Sequence, residues 1–333
     1  MNKILSPIIS EIEELEPLLV KFLLTPNAPT NQILQHIFSA GGKRIRPALF
    51  LLTCRLINYN DEHKYPIAGV CEYIHTASLL HDDVIDSSTL RRNKPTVNSV
   101  WGDETAVLAG DLIYSGACRL MVKTRSLDLI DTFAECIRFM SESELFQLEL
   151  LWKENTSADQ YLTVVAGKTA ALFEASTKTP CYLKNCAPNV TLNLGEYGKN
   201  LGFAFQIADD CLDYEGNSDA LGKNLVADLA EGKVTLPLIL GMQNSSKYAS
   251  ELKKLVSQML AADLPSEAQK SELVELVKLS EGLNLAKGMA LQYAQNARNA
   301  LELNCKQFLK EKNAEAALAS LLELTHFVTH RIN

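Results

Sequence analysis

Three aspartates follow an apolar run in the segment LLHDDVID, residues 79–86. On a helix, Asp82 and Asp86 stand at positions i and i+4, so both carboxylates project from one face, while Asp83 lies about 100° round from Asp82. Carboxylates beside an apolar surface are costly unless another group compensates their charge. A carboxylate pair of this kind suits Mg²⁺, which takes one or two carboxylates together with phosphate oxygens.

The same spacing returns in FQIADDCLDY, residues 205–214, where Asp209, Asp210 and Asp213 follow a second apolar run. A single DDxxD string is often only a solvated helix end. Because the string occurs twice, each time behind an apolar helix face, we interpret the pair as metal-binding. A calcium-binding EF-hand is disfavoured, since its ligands at every second position and its central glycine are missing.

Basic residues that could bind phosphate accompany both clusters. They are Lys43, Arg44 and Arg46 in GGKRIRP, Arg91 and Arg92 in RRNKPT, Lys168 beside Thr169 in AGKTAALFEA, and Lys223 and Lys233 after the second cluster. Any one of them could be a solvated surface charge, the default for these residue types. Lys168 is the hardest to explain in that way, because it lies in an apolar helix. Together with the two aspartate clusters and the apolar runs before them, these cations predict a substrate with a diphosphate head and a hydrocarbon tail, bound beside a second diphosphate.

The composition is that of a soluble globular protein, with 47% apolar and 22% charged residues in a chain of 333. The net charge of −8 argues against nucleic-acid binding. Acidic residues interrupt the N-terminal segment and no uninterrupted apolar run is long enough for a membrane span, so we expect a cytoplasmic protein. The eight cysteines form no CxxC pair, which predicts buried thiols rather than a zinc site.

Helical periodicity dominates the chain and must position these groups. Apolar residues recur at three- and four-residue intervals in segments 103–125, 127–152, 157–176, 192–213 and 286–303. The breaks between such segments are short and none has the composition of a flexible linker. The pattern predicts one all-α domain over residues 1–333, with an apolar shaft below the aspartates.

These motifs together resemble those of the trans-isoprenyl diphosphate synthases, the polyprenyl synthetase family, and most of all its long-chain members such as octaprenyl diphosphate synthases. The resemblance runs from about residue 40 to 240 and includes GGKRIRP, the first DDxxD with its trailing RR, AVLAGDLIYSGA, KTAALFEA, FQIADDCLDY and DLAEGKVTLPL. It implies a single large helical bundle of the isoprenoid synthase type around a central apolar cavity. It also implies a homodimer and about three Mg²⁺ ions in each active site.

The resemblance assigns a role to each matching residue. The diphosphate of isopentenyl diphosphate would be bound by Lys43, Arg46, His75 and Arg92, and the allylic diphosphate by Arg91, Lys168 and Lys233, assisted by Lys223. Two Mg²⁺ ions would be bound by Asp82 and Asp86 and a third by Asp209, supported by Asp83, Asp210 and Asp213. Oxygens near the developing cation would come from Thr169 and Gln206. Among these, the catalytic residues would be Asp82, Asp83, Asp86, Lys168, Asp209 and Asp210. The sequence departs from the family at Asn93, Gly116 and Ala227, none of which is a proposed ligand.

The implied reaction joins an allylic diphosphate, farnesyl or geranyl, to successive isopentenyl diphosphates by ionisation, condensation and loss of a proton. Residues four and five before Asp82 would set the depth of the shaft, and both are small, Ser78 and Ala77, with Ile74 one turn lower. A long all-trans product is therefore expected, with an octaprenyl chain for a quinone as the best single estimate. Membrane contact would be at most peripheral, for product release.

Four alternatives remain. A geranylgeranyl or farnesyl diphosphate synthase would differ only in product length. A terpene cyclase shares the first DDxxD, but its second metal motif usually contains Asn, Ser or Glu ligands. A non-catalytic subunit of a prenyl synthase typically lacks one aspartate cluster, whereas this chain carries both.

Overall fold

The protein is described by a computed structural model that covers residues 4–215, 226–244, 247–261, 266–305, 308 and 312–332. Lys223 lies outside the described residues, so its assignment is not addressed by the structure. The helices, in chain order, are α1 (Ile9–Lys21), α2 (Ala28–Ser39), α3 (Ile45–Leu56), α4 (Lys64–Ile85), α5 (Val97–Trp101), α6 (Asp103–Lys123), α7 (Leu127–Leu150), α8 (Ala158–Val165), α9 (Ala171–Lys184), α10 (Pro188–Leu212), α11 (Ala227–Ala230), α12 (Leu236–Gln243), α13 (Ala249–Leu260), α14 (Glu267–Leu279), α15 (Gly282–Cys305) and α16 (Lys312–His330).

Two short elements break the helical pattern, and both carry residues of the predicted site. The strands β1 (Leu90–Arg91) and β2 (Lys94–Pro95) pair antiparallel as a small hairpin after the first aspartate cluster. A π-helical turn, Ala166–Ala170, lies between α8 and α9, so the predicted helix over 157–176 is not a continuous α-helix. π-helical turns occur frequently at functional sites, and this one contains Lys168.

The chain forms two compact units, each assembled from separate stretches of sequence. The first unit comprises Met1–Ile137, Leu172–Gly198 and Leu301–Glu323, and the second comprises Arg138–Ala171, Lys199–Ala300 and Leu324–Asn333. The first DDxxD string therefore belongs to the first unit, and the second string belongs to the second.

Helix α4 is the central helix of the first unit and carries the first aspartate cluster at its end. Ile67, Val70, Ile74 and Ala77 are fully buried, and α4 packs along α6. Close approach requires a glycine on α6, because a Cβ on Gly110 would lie 2.3 Å from the His81 ring. Tight packing on a neighbouring helix thus fixes the end of α4, and with it the direction of the aspartates.

By length and composition, one helix among the described residues, α6, could cross a membrane. Its apolar residues are interrupted by Asp111 and Arg119, so α6 contains no uninterrupted apolar run of membrane-spanning length. One face of α6 packs along α4, and the large apolar side chains of Leu108 and Val122 on this helix are exposed.

A buried ion pair fixes the GGKRIRP loop at the start of α3. Arg44 has a left-handed backbone, with φ of 47°, and its guanidinium contacts two carboxylates. Nε lies 2.7 Å from Glu16 Oε1, and Nη1 lies 2.5 Å from Glu72 Oε1 on α4. Arg44 and Glu72 are both buried. Arg44 is thus a structural cation that anchors the loop carrying Lys43 and Arg46.

Replacement of Glu72 by Gln is expected to lower the free energy of unfolding by about 3 kcal/mol, because Arg44 would lose a buried charge partner. Glu142→Gln is the matched control, since it breaks an exposed i,i+4 pair with Arg138 and should cost less than about 0.5 kcal/mol. Urea unfolding of the three proteins measures both effects. Equal stabilities of the two variants would contradict the anchoring role.

Candidate active site

The first aspartate cluster divides its three carboxylates between two tasks. Asp82 is partly exposed and Asp86 is exposed, whereas Asp83 is buried. Arg91 donates to Asp83 Oδ1 through Nε at 2.8 Å, and its Nη2 lies 2.7 Å from the same oxygen. Asp83 therefore orients Arg91, and Asp82 and Asp86 are the carboxylates of this cluster that solvent reaches.

The β1–β2 hairpin brings the RRNK and GGKR motifs together. Its two central residues, Arg92 and Asn93, have φ of 53° and 62°, as a two-residue type I′ turn requires. Asparagine tolerates this conformation, which explains why it can replace the glycine usual after the two arginines. The Arg92 guanidinium donates to the Gly41 carbonyl, and a Cβ on Gly42 would lie 2.3 Å from Arg92 Nη1.

Arg46 and His75 are partly buried members of this cationic group. The Arg46 guanidinium lies 5.1 Å from the centre of the Phe173 ring, and its buried Nε has no hydrogen-bond partner within the described part of the chain. Burial lowers the pKa of Arg46 to about 10, so the group is still charged at neutral pH. Burial also lowers the pKa of His75 well below 6.5, and the charges of Arg46 and Arg92 lower it further. A partly buried cation with an unpartnered donor, beside a neutral imidazole, is an arrangement that favours an anionic ligand.

Not all of the sequence-predicted cations share one pocket. Lys43 is exposed on the loop before α3. A pocket of the first unit is lined by Arg91 and Arg92 together with Asp83, but its lining includes neither Lys43, Arg46 nor His75. Arg92 instead contacts the GGKR loop at Gly41 and Gly42.

The residues predicted to set chain length lie on different faces of α4. Ile74 and Ala77 are fully buried, whereas Ser78 is partly exposed and donates to the His75 carbonyl at 2.9 Å. At 100° per residue, Ser78 is about 40° from Asp82, and Ala77 is about 40° from His81. The His81 ring packs on α6, with Nε2 3.2 Å from the Val107 carbonyl. Ser78 shares the aspartate face, and Ala77 lies towards α6.

The second aspartate cluster also buries its middle carboxylate. Tyr161 donates its hydroxyl to Asp210 Oδ2 at 2.6 Å, and Gln206 Nε2 donates to Asp210 Oδ1 at 2.8 Å. Thr169 Oγ1 then donates to Gln206 Oε1 at 2.7 Å. Burial raises the pKa of Asp210 well above its usual range, and the nearby charge of Asp228 raises it further. The chain of hydrogen bonds fixes Thr169 and Gln206, both predicted substrate ligands, to the cluster.

Lys168 projects from the π-helical turn and is paired. Its Nζ lies 2.5 Å from Glu144 Oε1 on α7. The turn approaches α7 closely at Gly167, where a Cβ would lie 1.8 Å from Ser143 Oγ. Lys168 lines the same pocket as Thr169, Gln206, Asp210, Asp228 and Lys233. Five residues singled out by sequence or geometry thus meet Lys168 in one pocket of the second unit.

The last aspartate of the second cluster organises the loop that follows. Asp213 accepts hydrogen bonds from the backbone N–H groups of Ala227, at 3.2 Å, and of Asp228, at 3.3 Å. Burial raises the pKa of Asp228 to about 7, with the charge of Asp213 as the second cause. Lys233 Nζ lies 2.6 Å from Glu231 Oε2. Asp213 therefore has a defined structural task, and its role as a metal ligand stays a prediction.

Three residues at this site were not predicted as site residues. Tyr161 stands seven residues before Lys168, a spacing of two helical turns that could have placed it on the same face. Asp228 follows the second cluster and Arg331 follows α16; Arg331 Nη1 lies 2.6 Å from Asp209 Oδ1. The contact of Arg331 joins residues 122 positions apart in sequence, and no motif announces it.

The donor set fits Mg²⁺. Among the described residues, Asp61, Glu62 and His63 offer three ligand atoms that lie within 4.8 Å of one another. These residues are consecutive in the loop before α4, and Asp61 and Glu62 are exposed. The sequence motifs did not predict this group. The aspartate clusters instead offer carboxylates in ones and twos, with their middle members engaged elsewhere. Mg²⁺ uses one or two carboxylates and keeps its other positions for water and phosphate oxygens.

Comparisons with known proteins identify the family of this chain. The polyprenyl synthetase family model matches residues 27–277. Octaprenyl diphosphate synthase of Escherichia coli is 40% identical over 222 residues, 67% of this chain and 69% of that protein. The all-trans-nonaprenyl-diphosphate synthase (geranyl-diphosphate specific) of Rhodobacter capsulatus is 34% identical over 96% of both chains. A polyprenyl synthase structure from Caulobacter crescentus, complexed with calcium and isoprenyl diphosphate, has a TM-score of 0.87 and 32% identity, over 98% of this chain and 97% of that one.

The chain belongs to the polyprenyl synthetase family. Members of this family are Mg²⁺-dependent prenyltransferases that use isopentenyl and allylic diphosphates, so the predicted enzyme class is confirmed. The all-α isoprenoid synthase fold is confirmed as well. The central apolar cavity, the single domain over 1–333 and the individual residue roles stay predictions.

The state of His75 can be tested through stability. In the folded protein His75 stays neutral below pH 6.5, whereas in the unfolded chain it takes up a proton there, so stability is lost as pH falls. Between pH 7.5 and 5.5, urea unfolding of the wild type should lose about 1 kcal/mol more than that of His75→Gln. His63→Gln, in the loop before α4, is the control. Equal losses in wild type and His75→Gln would show that His75 is not kept neutral.

Proposed function

We propose that this protein condenses an allylic diphosphate with successive isopentenyl diphosphates to give a long-chain all-trans polyprenyl diphosphate. The observation that carries the proposal is the partly buried Arg46 guanidinium, whose buried Nε lacks a hydrogen-bond partner in the described residues, beside a neutral His75. A buried donor without an acceptor favours the binding of an anionic ligand. The identity with octaprenyl and nonaprenyl diphosphate synthases supports a diphosphate as that anion.

The two diphosphates are assigned to separate groups of cations. Lys43, Arg46, His75 and Arg92 bind isopentenyl diphosphate, and the contact of Arg92 with the Gly41 carbonyl supports this grouping. Arg91, Lys168 and Lys233 bind the allylic diphosphate. Each of these three cations has a carboxylate partner, Asp83, Glu144 or Glu231, which holds it in place before the substrate arrives. Preorganised charges of this kind need little rearrangement during reaction.

Asp82, Asp86 and Asp209 would hold about three Mg²⁺ ions, which when bound supply positive charge to the departing diphosphate. Asp83 and Asp210 support these ligands from buried positions, through Arg91 and Tyr161. The solvent-accessible carboxylates bind the metal, and the buried ones position the cations and polar groups around it.

The remaining catalytic work is orientation and charge stabilisation. Lys168 and Arg91 stabilise negative charge on the leaving diphosphate, and Thr169 and Gln206 present oxygens to the allylic cation. Their mutual hydrogen bond fixes those oxygens. Isopentenyl diphosphate held beside the cation supplies its double bond, so proximity lowers the barrier. The released diphosphate accepts the proton that leaves the condensed product.

The product is assigned as octaprenyl diphosphate, a precursor of quinone side chains. The small residues Ala77 and Ser78 leave no aromatic plug below Asp82, and the relatives named above make octaprenyl and nonaprenyl chains. The proposal includes a homodimer, a single polyprenyl synthetase domain, a cytoplasmic location and at most peripheral contact with a membrane.

The direct test is incubation of the purified protein with farnesyl diphosphate, isopentenyl diphosphate and Mg²⁺, followed by product analysis. Extended all-trans prenyl chains, lost on chelation of the metal and regained with Mg²⁺, are the expected result. Cyclic hydrocarbons would identify a terpene cyclase, and no consumption would identify a non-catalytic subunit. A dominant geranylgeranyl product would overturn the long-chain assignment alone.

Two neighbouring aspartates should respond to substitution in opposite ways. Asp82→Asn is expected to lower kcat about 10³-fold without lowering Tm, because removing one of several like charges relieves repulsion. Asp83→Asn is expected to lower the free energy of unfolding by about 1–3 kcal/mol, because the buried acceptor of Arg91 loses its negative charge. Rate and thermal measurements on both variants decide the matter. A destabilised Asp82→Asn variant with normal activity in its folded fraction would show that Asp82 is structural.

Chain length offers a second contrast. Ser78→Phe should shorten the dominant product with little loss of stability, because Ser78 shares the face of Asp82. Ala77→Phe is also predicted to shorten the product, but its burial towards α6 predicts overpacking that costs about 1–3 kcal/mol. Product analysis with thermal unfolding separates the two effects. Parent-length product from both stable variants would remove these positions from the length determinant.

A further inference from the structure

Arg331 forms an ion pair with Asp209, a predicted metal ligand. Its Nη1 lies 2.6 Å from Asp209 Oδ1, and its Cζ lies 5.5 Å from the centre of the Phe205 ring, one helical turn before Asp209 on α10. Both partners and the ring belong to the second unit. The arginine side chain is 21% exposed, so the pair is only partly screened by water.

The geometry of this pair is that of a contact that can be exchanged. Although Nη1 is at ion-pair distance from Asp209, it is buried and misaligned, and it forms no hydrogen bond within the described part of the chain. A well-made arginine–carboxylate pair is bidentate and aligned. This guanidinium therefore keeps donors that a second anion can use, while Phe205 holds its flat face in place.

We propose that Arg331 is an internal counter-ion of Asp209 that Mg²⁺ displaces and that then binds the diphosphate of the substrate. This inference rests on the proposed function, since it assigns Asp209 as a metal ligand. Without substrate, the guanidinium neutralises Asp209 and competes with the metal for the carboxylate. When metal and diphosphate enter together, Asp209 exchanges one cation for another and the guanidinium gains an anion.

The consequence is a coupling between metal and substrate. Mg²⁺ alone must separate the pair between Arg331 and Asp209, so its affinity is reduced. Diphosphate removes this cost, because it offers the displaced guanidinium a new partner with several oxygens. By thermodynamic reciprocity, diphosphate increases the affinity for Mg²⁺ by the same factor as Mg²⁺ increases the affinity for diphosphate.

The test is calorimetric titration of the metal-free full chain with Mg²⁺ alone. Arg331→Gln is expected to bind Mg²⁺ about fivefold or more tightly than wild type, the lower end of typical coupling factors. Lys287→Gln is the matched control, because it removes one positive charge from another ion pair of the second unit, that with Glu215. Equal Mg²⁺ affinities in Arg331→Gln and Lys287→Gln would overturn the proposal, since they would reduce the effect to net charge.

A conservative variant separates charge from packing. Arg331→Lys keeps a cation near Asp209 and is expected to retain the wild-type Mg²⁺ affinity. Tightening in Arg331→Lys equal to that in Arg331→Gln would mean that lost packing on Phe205 causes the change, and the proposal would be wrong. Thermal unfolding without metal verifies that each variant is folded before titration.

The second half of the proposal is tested with inorganic diphosphate at saturating Mg²⁺. Arg331→Gln should bind it about fivefold or more weakly than Lys287→Gln does, and unchanged binding would contradict the transfer of Arg331 to the anion. Neither titration uses prenyl substrates. Failure of wild-type prenyl synthesis would therefore sink the proposed function while leaving the exchange of Arg331 and metal on Asp209 measurable.

Discussion

Repulsion among neighbouring carboxylates is the constraint on which this structure depends. Each DDxxD string places three negative charges within two helical turns, next to an apolar core. The protein resolves this by burying the middle aspartate and giving it dedicated donors: Arg91 for Asp83, and Tyr161 with Gln206 for Asp210. The accessible outer carboxylates can then remain charged for a metal, because the middle one no longer competes for it.

The two arginines of GGKRIRP differ in whether the protein supplies their anionic partners. Arg44, close to Arg46 in sequence, is fully matched by Glu16 and Glu72 and serves the fold. Arg46 is partly buried and its buried Nε is an unused donor among the described residues, while burial beside other positive charges keeps His75 neutral. A buried donor without an acceptor is costly unless a ligand supplies one. The two arginines of GGKRIRP therefore differ in their partners: Arg44 has its anions within the protein, whereas the Nε of Arg46 has no acceptor among the described residues.

Much of the fold and part of the site could be predicted from sequence. Apolar periodicity located α6, α7, α10 and α15 to within a few residues, because each helix buries a continuous stripe. The motifs identified the family, but not the tasks of individual residues. Arg44 and Arg46 look alike in GGKRIRP, and only tertiary contacts separate them. The π-helical turn at Lys168 does not alter the apolar periodicity, so the sequence does not reveal it. The glycine at position 116 is explained by its close approach to Leu23, a tertiary contact that periodicity does not show.

The central claim is that the outer aspartates bind metal while the middle ones hold cations and polar groups in place. The most direct measurement is anomalous diffraction from crystals grown with Mn²⁺ in place of Mg²⁺ and an unreactive diphosphate. The account predicts metal peaks within coordination distance of Asp82, Asp86 and Asp209, with Asp83 still bonded to Arg91 and Asp210 to Tyr161. Peaks on Asp83 or Asp210, or on Asp61–Glu62–His63 alone, would contradict it.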